Sequence, residues 1–272
     1  MTPLIFPNLP EAGNLDAINA YVARAARAAG VSALVFSDPA WSAEEFERRV
    51  VEGGFLGAKC YLTLAPAHIA RKDICIYDYF PPHQLAVLDR RGWLMMLHIP
   101  RDGRLRDPLN LTQMLEIDAR YPGIRVVVAH VGRAYCDHDV GNAFEVLAKS
   151  RRLSFDISAN TNERVFAALI RGVGLRRFLF GTDLPVERMR MRRIERDGHY
   201  VNLVPQGLYG DVSGDPNMAE VAGPEAEALT FFLYEQIAAF RRAAEATGLS
   251  RGDVADVFCG NAERMIEGAR AG

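Results

Sequence analysis

Three polar side chains interrupt apolar runs where a buried imidazole or carboxylate needs a reason. His98 closes Trp93–Ile99 (WLMMLHI), His130 closes Ile124–Val131 (IRVVVAHV), and Asp183 follows Phe178–Phe180 in FLFGTDLP. Imidazole nitrogen and carboxylate oxygen together suit Zn²⁺ or a similar divalent ion, and also acid–base work. Each has a plainer reading. A histidine in an apolar run can be a hydrogen-bonded core residue, though it then needs a partner, and Asp183 before Pro185 can be a helix cap or turn former. Lys59 and Tyr61 end the run Phe55–Leu62 (FLGAKCYL). A lysine there can pair with a carboxylate inside the fold, bind substrate, or become the carbamate ligand of some metal hydrolases; pairing or substrate binding is preferred. Tyr61 and Arg133, the latter following His130 in a Gly-opened loop, are substrate-binding candidates, and His138 in AYCDHD is the best substrate contact among the remaining histidines.

These residues need strands to hold them. Further apolar runs are Pro3–Phe6 (PLIF), Ser32–Phe36 (SALVF) and Leu153–Ile157 (LSFDI), making seven strands. Several runs are continuous rather than alternating, as in parallel strands buried on both faces. The segments between read as helices: Asn14–Ala29 before Gly30, Ser42–Glu52 with its SAEE capping box, Pro82–Arg91, Asn110–Tyr121, Val140–Arg151 and Asn162–Arg171. Anchors Tyr61, His98, His130, Asp156 and Asp183 recur about every 30 residues, the length of one βα unit. This predicts one α/β domain over 1–272, a TIM (β/α)8-type barrel one strand short, whose polar strand ends face the active site.

After Asp183 the rhythm stops. Residues 186–222 read as a lid or insertion loop over the barrel mouth, ordered because it carries Tyr200, Val201, Leu203, Val204, Leu208 and Tyr209. The arginines at 188–196 are interleaved with Glu187, Glu195 and Asp197, so a solvated loop face is preferred over an anion-binding rim. Two tail helices, Glu225–Thr247 and Arg251–Ala269, are expected on the barrel exterior, and any homo-oligomer is expected to use them. The net charge of −2 gives no electrostatic case for nucleic acid. No apolar stretch approaches the ~18 residues of a membrane span, and MTPLIFPNLPEAG lacks a secretory pattern. Cys60, Cys75, Cys136 and Cys259 contain no CxxC and read as reduced core thiols of a cytoplasmic protein.

The segments GFLGAKCY (54–61), LMMLHIPRD (94–102), RVVVAHVGR (125–133), LSFDIS (153–158), RFLFGTDLP (177–185) and DVFCGNAERM (256–265) together resemble the amidohydrolase superfamily. The likeness is to the branch that holds aminocarboxymuconate-semialdehyde and dihydroxybenzoate decarboxylases. It implies a divalent metal, zinc first and manganese second, with His98 and Asp183 as ligands. It implies that His130 orients water or polarises a small-molecule substrate and that Asp183 moves the proton. Metal-dependent hydrolysis of a C–N or C–O bond is the first expectation, and decarboxylation of a small carboxylic acid the second. The family's first strand carries an HxH pair, and no HxH occurs here; PLIFPN (3–8) resembles the second strand. The resemblance therefore also leaves open a truncated chain, a fragment completed by another chain, or a non-catalytic barrel that binds or assembles.

Overall fold

The computed structural model describes residues 3–8 and 14–271; part of the N-terminal stretch read above for a leader, residues 1–2 and 9–13, lies outside them. The apolar runs form short parallel strands in chain order: β1 (Leu4–Ile5), β2 (Ser32–Ala33), β3 (Val35–Phe36), β4 (Gly57–Cys60), β5 (Leu94–Leu97), β6 (Arg125–Val128), β7 (Ser154–Asp156) and β8 (Phe178–Leu179). β1 pairs with β2, and β3 to β8 form one six-stranded sheet. Leu34 joins β2 to β3, and its N–H bonds the Ile5 carbonyl at 2.9 Å, so the two pieces act as one strand with β1 on one edge and β4 on the other. The seven expected strands are thus present.

Period-two alternation divides the strand side chains between two cores. Met95, Leu97, Val126, Val128, Phe155 and Phe178 pack outward into the large cluster under the helices. Leu34, Leu94, Met96, Val127 and Leu179 point inward into a smaller one. The helix Leu15–Ala29 ends at Gly30 in the left-handed region (φ 64°), and Ser42 Oγ caps Ala43–Gly53 by accepting from Glu45 N. Asn162 and Asp107 cap Glu163–Val173 and Pro108–Arg120. The helix expected over Val140–Arg151 is reduced to Ala143–Leu147.

Buried Asn19 locks the first of these helices to the sheet. Its amide donates to the Phe36 carbonyl at 2.9 Å and accepts from Phe36 N at 2.8 Å. Asn19→Ala leaves both backbone groups buried and unpaired. A destabilisation of about 1–3 kcal/mol is expected from urea unfolding.

Among the described residues no ladder joins β8 back to β1, so the sheet stays open. The last helix, Asn261–Arg270, spans the opening. Its start is tied to β8, where Asn261 Nδ2 donates to the Phe178 carbonyl at 2.8 Å, and its end to β2, where Arg270 Nη2 donates to Ser32 Oγ at 2.8 Å. A π-turn at Asp256–Gly260 precedes it, and the Val257 carbonyl accepts from Phe180 N at 3.0 Å, extending the edge of β8. Ala262, Met265, Ile266 and Ala269 then cover the inner core. The expectation that both tail helices lie outside is corrected here: an inward-facing sheet with no closing strand must bury Leu94, Met96 and Leu179 against something. The first tail helix is also broken, into Gly223–Glu227 and Phe232–Thr247.

The segment read above as a lid or insertion loop is built as a sheet. β9 (Arg192–Arg196) and β10 (His199–Pro205) form an antiparallel hairpin, and β11 (Met218–Val221) adds in parallel to β10. Asp197 and Gly198 turn the hairpin with φ 52° and 74°, the two positive values a tight two-residue turn requires.

Candidate active site

Beyond the C-terminal end of β6 the backbone enters a left-handed turn: His130, Val131, Gly132 and Arg133 have φ of 55°, 50°, 61° and 60°. Such conformations cost about 1–3 kcal/mol each for non-glycine residues and persist only when neighbours impose them. At Gly132 a Cβ would stand 2.5 Å from Leu105 Cδ1, so a larger residue would have to displace that buried side chain. The turn buries His130, which is 8% exposed. Asp156 Oδ1 accepts from His130 N at 3.2 Å, while His130 Nδ1 meets the Ser158 carbonyl and Oγ, both at 2.9 Å. Ser158 Oγ in turn donates to Asp156 Oδ1. With Nδ1 engaged, Nε2 is directed at Asp183, whose Oδ2 lies 3.9 Å away, too long for a direct hydrogen bond.

Asp183 itself has φ 42°, on a turn held by Gln236 Nε2, which donates to the Gly181 carbonyl at 2.9 Å. His98 lies beside His130 with ring centroids 5.5 Å apart, and Tyr61 packs on its other side at 4.7 Å. Burial holds the His98 imidazole well below its ordinary pKa, with His130 and the cations Arg133, Lys59 and Arg71 acting in the same direction. Its Nδ1 is buried without a hydrogen-bond partner. Lys59 Nζ stands 4.4 Å over the Phe6 ring; burial lowers its pKa, against the pull of Asp183 and Asp156.

A cavity of about 450 Å³ joins these groups. Lys59, His98, His130, Asp156, Ser158 and Asp183 supply its polar wall. Its apolar wall runs from Leu4 and Phe6 past Met96 and Leu179 to Phe258 and Met265. Of the residues singled out in the sequence, Lys59, His98, His130 and Asp183 share this cavity. Tyr61 reaches it through His98. Arg133 braces the loop after β5, donating to the Ile99, Pro100 and Arg101 carbonyls at 3.3–3.4 Å. His138 does not line the cavity; it stands against Asp139 and Glu195.

Glu187 was hidden in the sequence among arginines, yet it is 1% exposed. Its Oε1 accepts from Ala159 N at 2.7 Å, and Arg193 Nη1 donates to the Ala159 carbonyl. This grip from both sides holds Ala159 at φ 49°, next to the Ser158 that orients His130. Burial, with Asp183 and Asp156 adding to it, raises Glu187 to about 7, against the opposing Ala159 bond and Arg193. The solvated-face reading of the arginines is corrected at Arg193. Its guanidinium lies 4.3, 4.7 and 4.9 Å from the Tyr135, Tyr200 and Phe232 rings, and Arg104 lies 4.9 Å from Tyr200. A sequence shows charge but not the aromatic cage that buries it. The Asp197–Gly198 pair was the available signal for the hairpin that brings Arg193 inward.

Fold and site define a (β/α)-barrel protein with a titratable cluster at the C-terminal rim of its strands. The model of the amidohydrolase family matches residues 5–267, and the chain belongs to that family. No curated protein matches it. Among solved structures, a zinc-bound amidohydrolase from Burkholderia multivorans is similar with a TM-score of 0.63 at 14% identity, over 98% of this chain and 83% of that one. The 4-oxalomesaconate hydratase of Rhodopseudomonas palustris gives 0.57 at 16% identity, over 94% and 72%. A dihydroxybenzoic acid decarboxylase from Polaromonas, with manganese and 2-nitroresorcinol bound, gives 0.51 at 16% identity, over 93% and 74%. These likenesses establish the barrel fold. No helix among the described residues is long and apolar enough to cross a membrane.

Proposed function

We propose that this chain is a metal-dependent decarboxylase of a small, largely apolar carboxylic acid. One observation carries the reaction class: the Lys59 ammonium stands with His98, His130 and Asp183 on the polar side of a cavity whose opposite wall is apolar. Beside Asp183 and Asp156, that ammonium can also pair with an anionic ligand entering the cavity, and the apolar wall suits a planar hydrocarbon body.

The donor set fits a divalent ion in type, and the orphaned His98 Nδ1 is the atom that asks for one. His98 and Asp183 would hold it. With two protein donors rather than the usual three, weak occupancy is expected. When bound, the ion supplies Lewis acidity toward the substrate carboxylate and lowers the pKa of bound water toward about 7.

The chain's own groups divide the remaining work. Lys59 pairs with the substrate carboxylate, and the apolar wall orients the body and excludes water. As CO2 departs, the bonding electron pair stays on carbon, and a proton from water, relayed through the space between Asp183 and His130 Nε2, takes the place of the carboxylate there. His130, fixed through Nδ1 by Ser158, faces the same position with Nε2.

Hydrolysis of a C–N or C–O bond is the second reading. The 3.9 Å gap between His130 Nε2 and Asp183 Oδ2 favours it, because a water can sit between and donate to both. Small aromatic acids supplied with Zn²⁺ or Mn²⁺ should release CO2. Lys59→Met should raise KM about 10- to 100-fold, the worth of a charge-assisted contact. Turnover of neutral amides or esters that is indifferent to Lys59→Met would replace this reading by the hydrolytic one.

A further inference from the structure

A second cluster of ligating atoms lies under the lid, outside the cavity. Among the described residues, Cys136, His138 and Glu195 are the one trio of His, Cys, Asp or Glu whose ligand atoms all lie within 4.8 Å of one another. We propose that Cys136 Sγ, an imidazole nitrogen of His138 and a carboxylate oxygen of Glu195 form a structural site for a borderline-soft divalent cation, Zn²⁺ first, that fastens the lid hairpin to the loop after β6.

The donor types carry the choice of ion. One thiolate, one imidazole and one carboxylate make a mixed set that zinc accepts, whereas Mg²⁺ and Ca²⁺ want oxygen alone. Tetrahedral zinc at its usual bond lengths places ligand atoms about 3.3–3.8 Å apart. The trio is therefore within about 1 Å of closing, and His138 Nδ1 already lies 3.8 Å from Glu195 Oε1. The opposite ring nitrogen, Nε2, faces Asp139 Oδ1 at 3.5 Å. A carboxylate behind the ligating histidine is the usual means of fixing its ring toward a metal. Asp139 is itself held, accepting from Cys136 N at 2.9 Å and from Arg104 Nη1 at 2.7 Å.

Among the described residues Cys60, Cys75 and Cys259 belong to no such trio: Cys60 is buried and donates to the Ser37 carbonyl, and Cys259 donates to Glu263 alone. The surrounding charge admits a cation. Asp137, Asp139 and Glu195 face it, while Arg104 and Arg164 are committed to Asp139 and Asp137, and Arg106 donates to the His138 carbonyl. On binding, the Cys136 thiol gives its proton to solvent and the Sγ–metal bond takes its place.

The connection is what gives the site a consequence. Cys136 and His138 belong to the loop that follows His130, and Glu195 belongs to β9, two residues from the caged Arg193. An ion there would hold the lid at its edge, as the aromatic cage holds it at its centre.

The test titrates the full chain, stripped by chelator, with Co²⁺. Thiolate ligation adds a near-ultraviolet charge-transfer band that imidazole and carboxylate ligands do not. The expected result is such a band, saturating at one equivalent. Cys136→Ser should abolish it and remove one bound ion. His138→Ala, at a half-exposed side chain, should weaken Co²⁺ binding at least tenfold with an unchanged circular dichroism spectrum. Should Cys136→Ser fail to fold, the His138→Ala titration decides. No band in the parent chain, or an equal band in Cys136→Ser, overturns the site. Hydrogen exchange over residues 192–205 should slow when zinc is added; unchanged exchange with the ion bound overturns the fastening role. The site stands independently of the decarboxylase reading, since the cavity residues His98 and Asp183 supply no thiolate.

Discussion

Asp183→Asn is expected to lower kcat by about 10²- to 10⁴-fold, the usual worth of a positioned acid or base. Asparagine suits the test because it preserves shape and, like aspartate, tolerates the left-handed backbone found there at φ 42°. What disappears is a group able to give or take a proton 3.9 Å from His130 Nε2, and a charge that offsets the buried Lys59. Steady-state rates with a carboxylated substrate, alongside an unchanged circular dichroism spectrum, isolate this effect. Turnover that survives undiminished would remove Asp183 from the chemistry and leave His130 as the proton carrier.

Glu187→Gln is expected to raise stability at pH 8 by about 2.5 kcal/mol relative to pH 5, compared with the parent chain. A carboxyl raised from an ordinary 4.5 to about 7 binds its proton more tightly in the folded state than in the unfolded one. Its contribution is therefore fully present below about 4.5 and is lost as pH rises through about 7. At about 1.4 kcal/mol per pH unit, the part of that span lying between pH 5 and pH 8 gives the expected magnitude. Glutamine can still accept from Ala159 N through its own oxygen, so the strained turn beside Ser158 is kept. Urea unfolding of both chains at pH 5 and pH 8 measures the difference, in which other titrating groups cancel. Parallel pH profiles for the two chains would show that Glu187 binds its proton no more tightly in the folded state than in the unfolded one.

The strands were legible because burial on both faces leaves a one-dimensional trace: LMML and VVV need no partner sequence to be read. His98, His130 and Asp183 were legible for the converse reason, being polar where such a run ends, and the cavity brings them together with Lys59. Arg193 and Glu187 were not legible. Their burial depends on Tyr135 and Ala159, which lie far away along the chain, and on Tyr200 across the hairpin. The inward position of the last helix was equally hidden, since NAERMIEGAR carries the same alternation whether it packs outside a barrel or across its opening.

The way that helix spans the opening bears on how the protein is made. Leu34, Leu94, Met96, Val127 and Leu179 all precede Ala262 in the chain, and their inward faces are covered by Ala262, Met265, Ile266 and Ala269. During translation the ribosome completes every strand before the segment that dries their common surface. Through that interval a nascent chain can pair its strands and dock its outer helices while still presenting a greasy inner wall to water or to chaperones. Synonymous changes that slow elongation shortly before codon 261 should therefore lengthen the sticky phase and lower soluble yield, without altering one atom of the finished molecule.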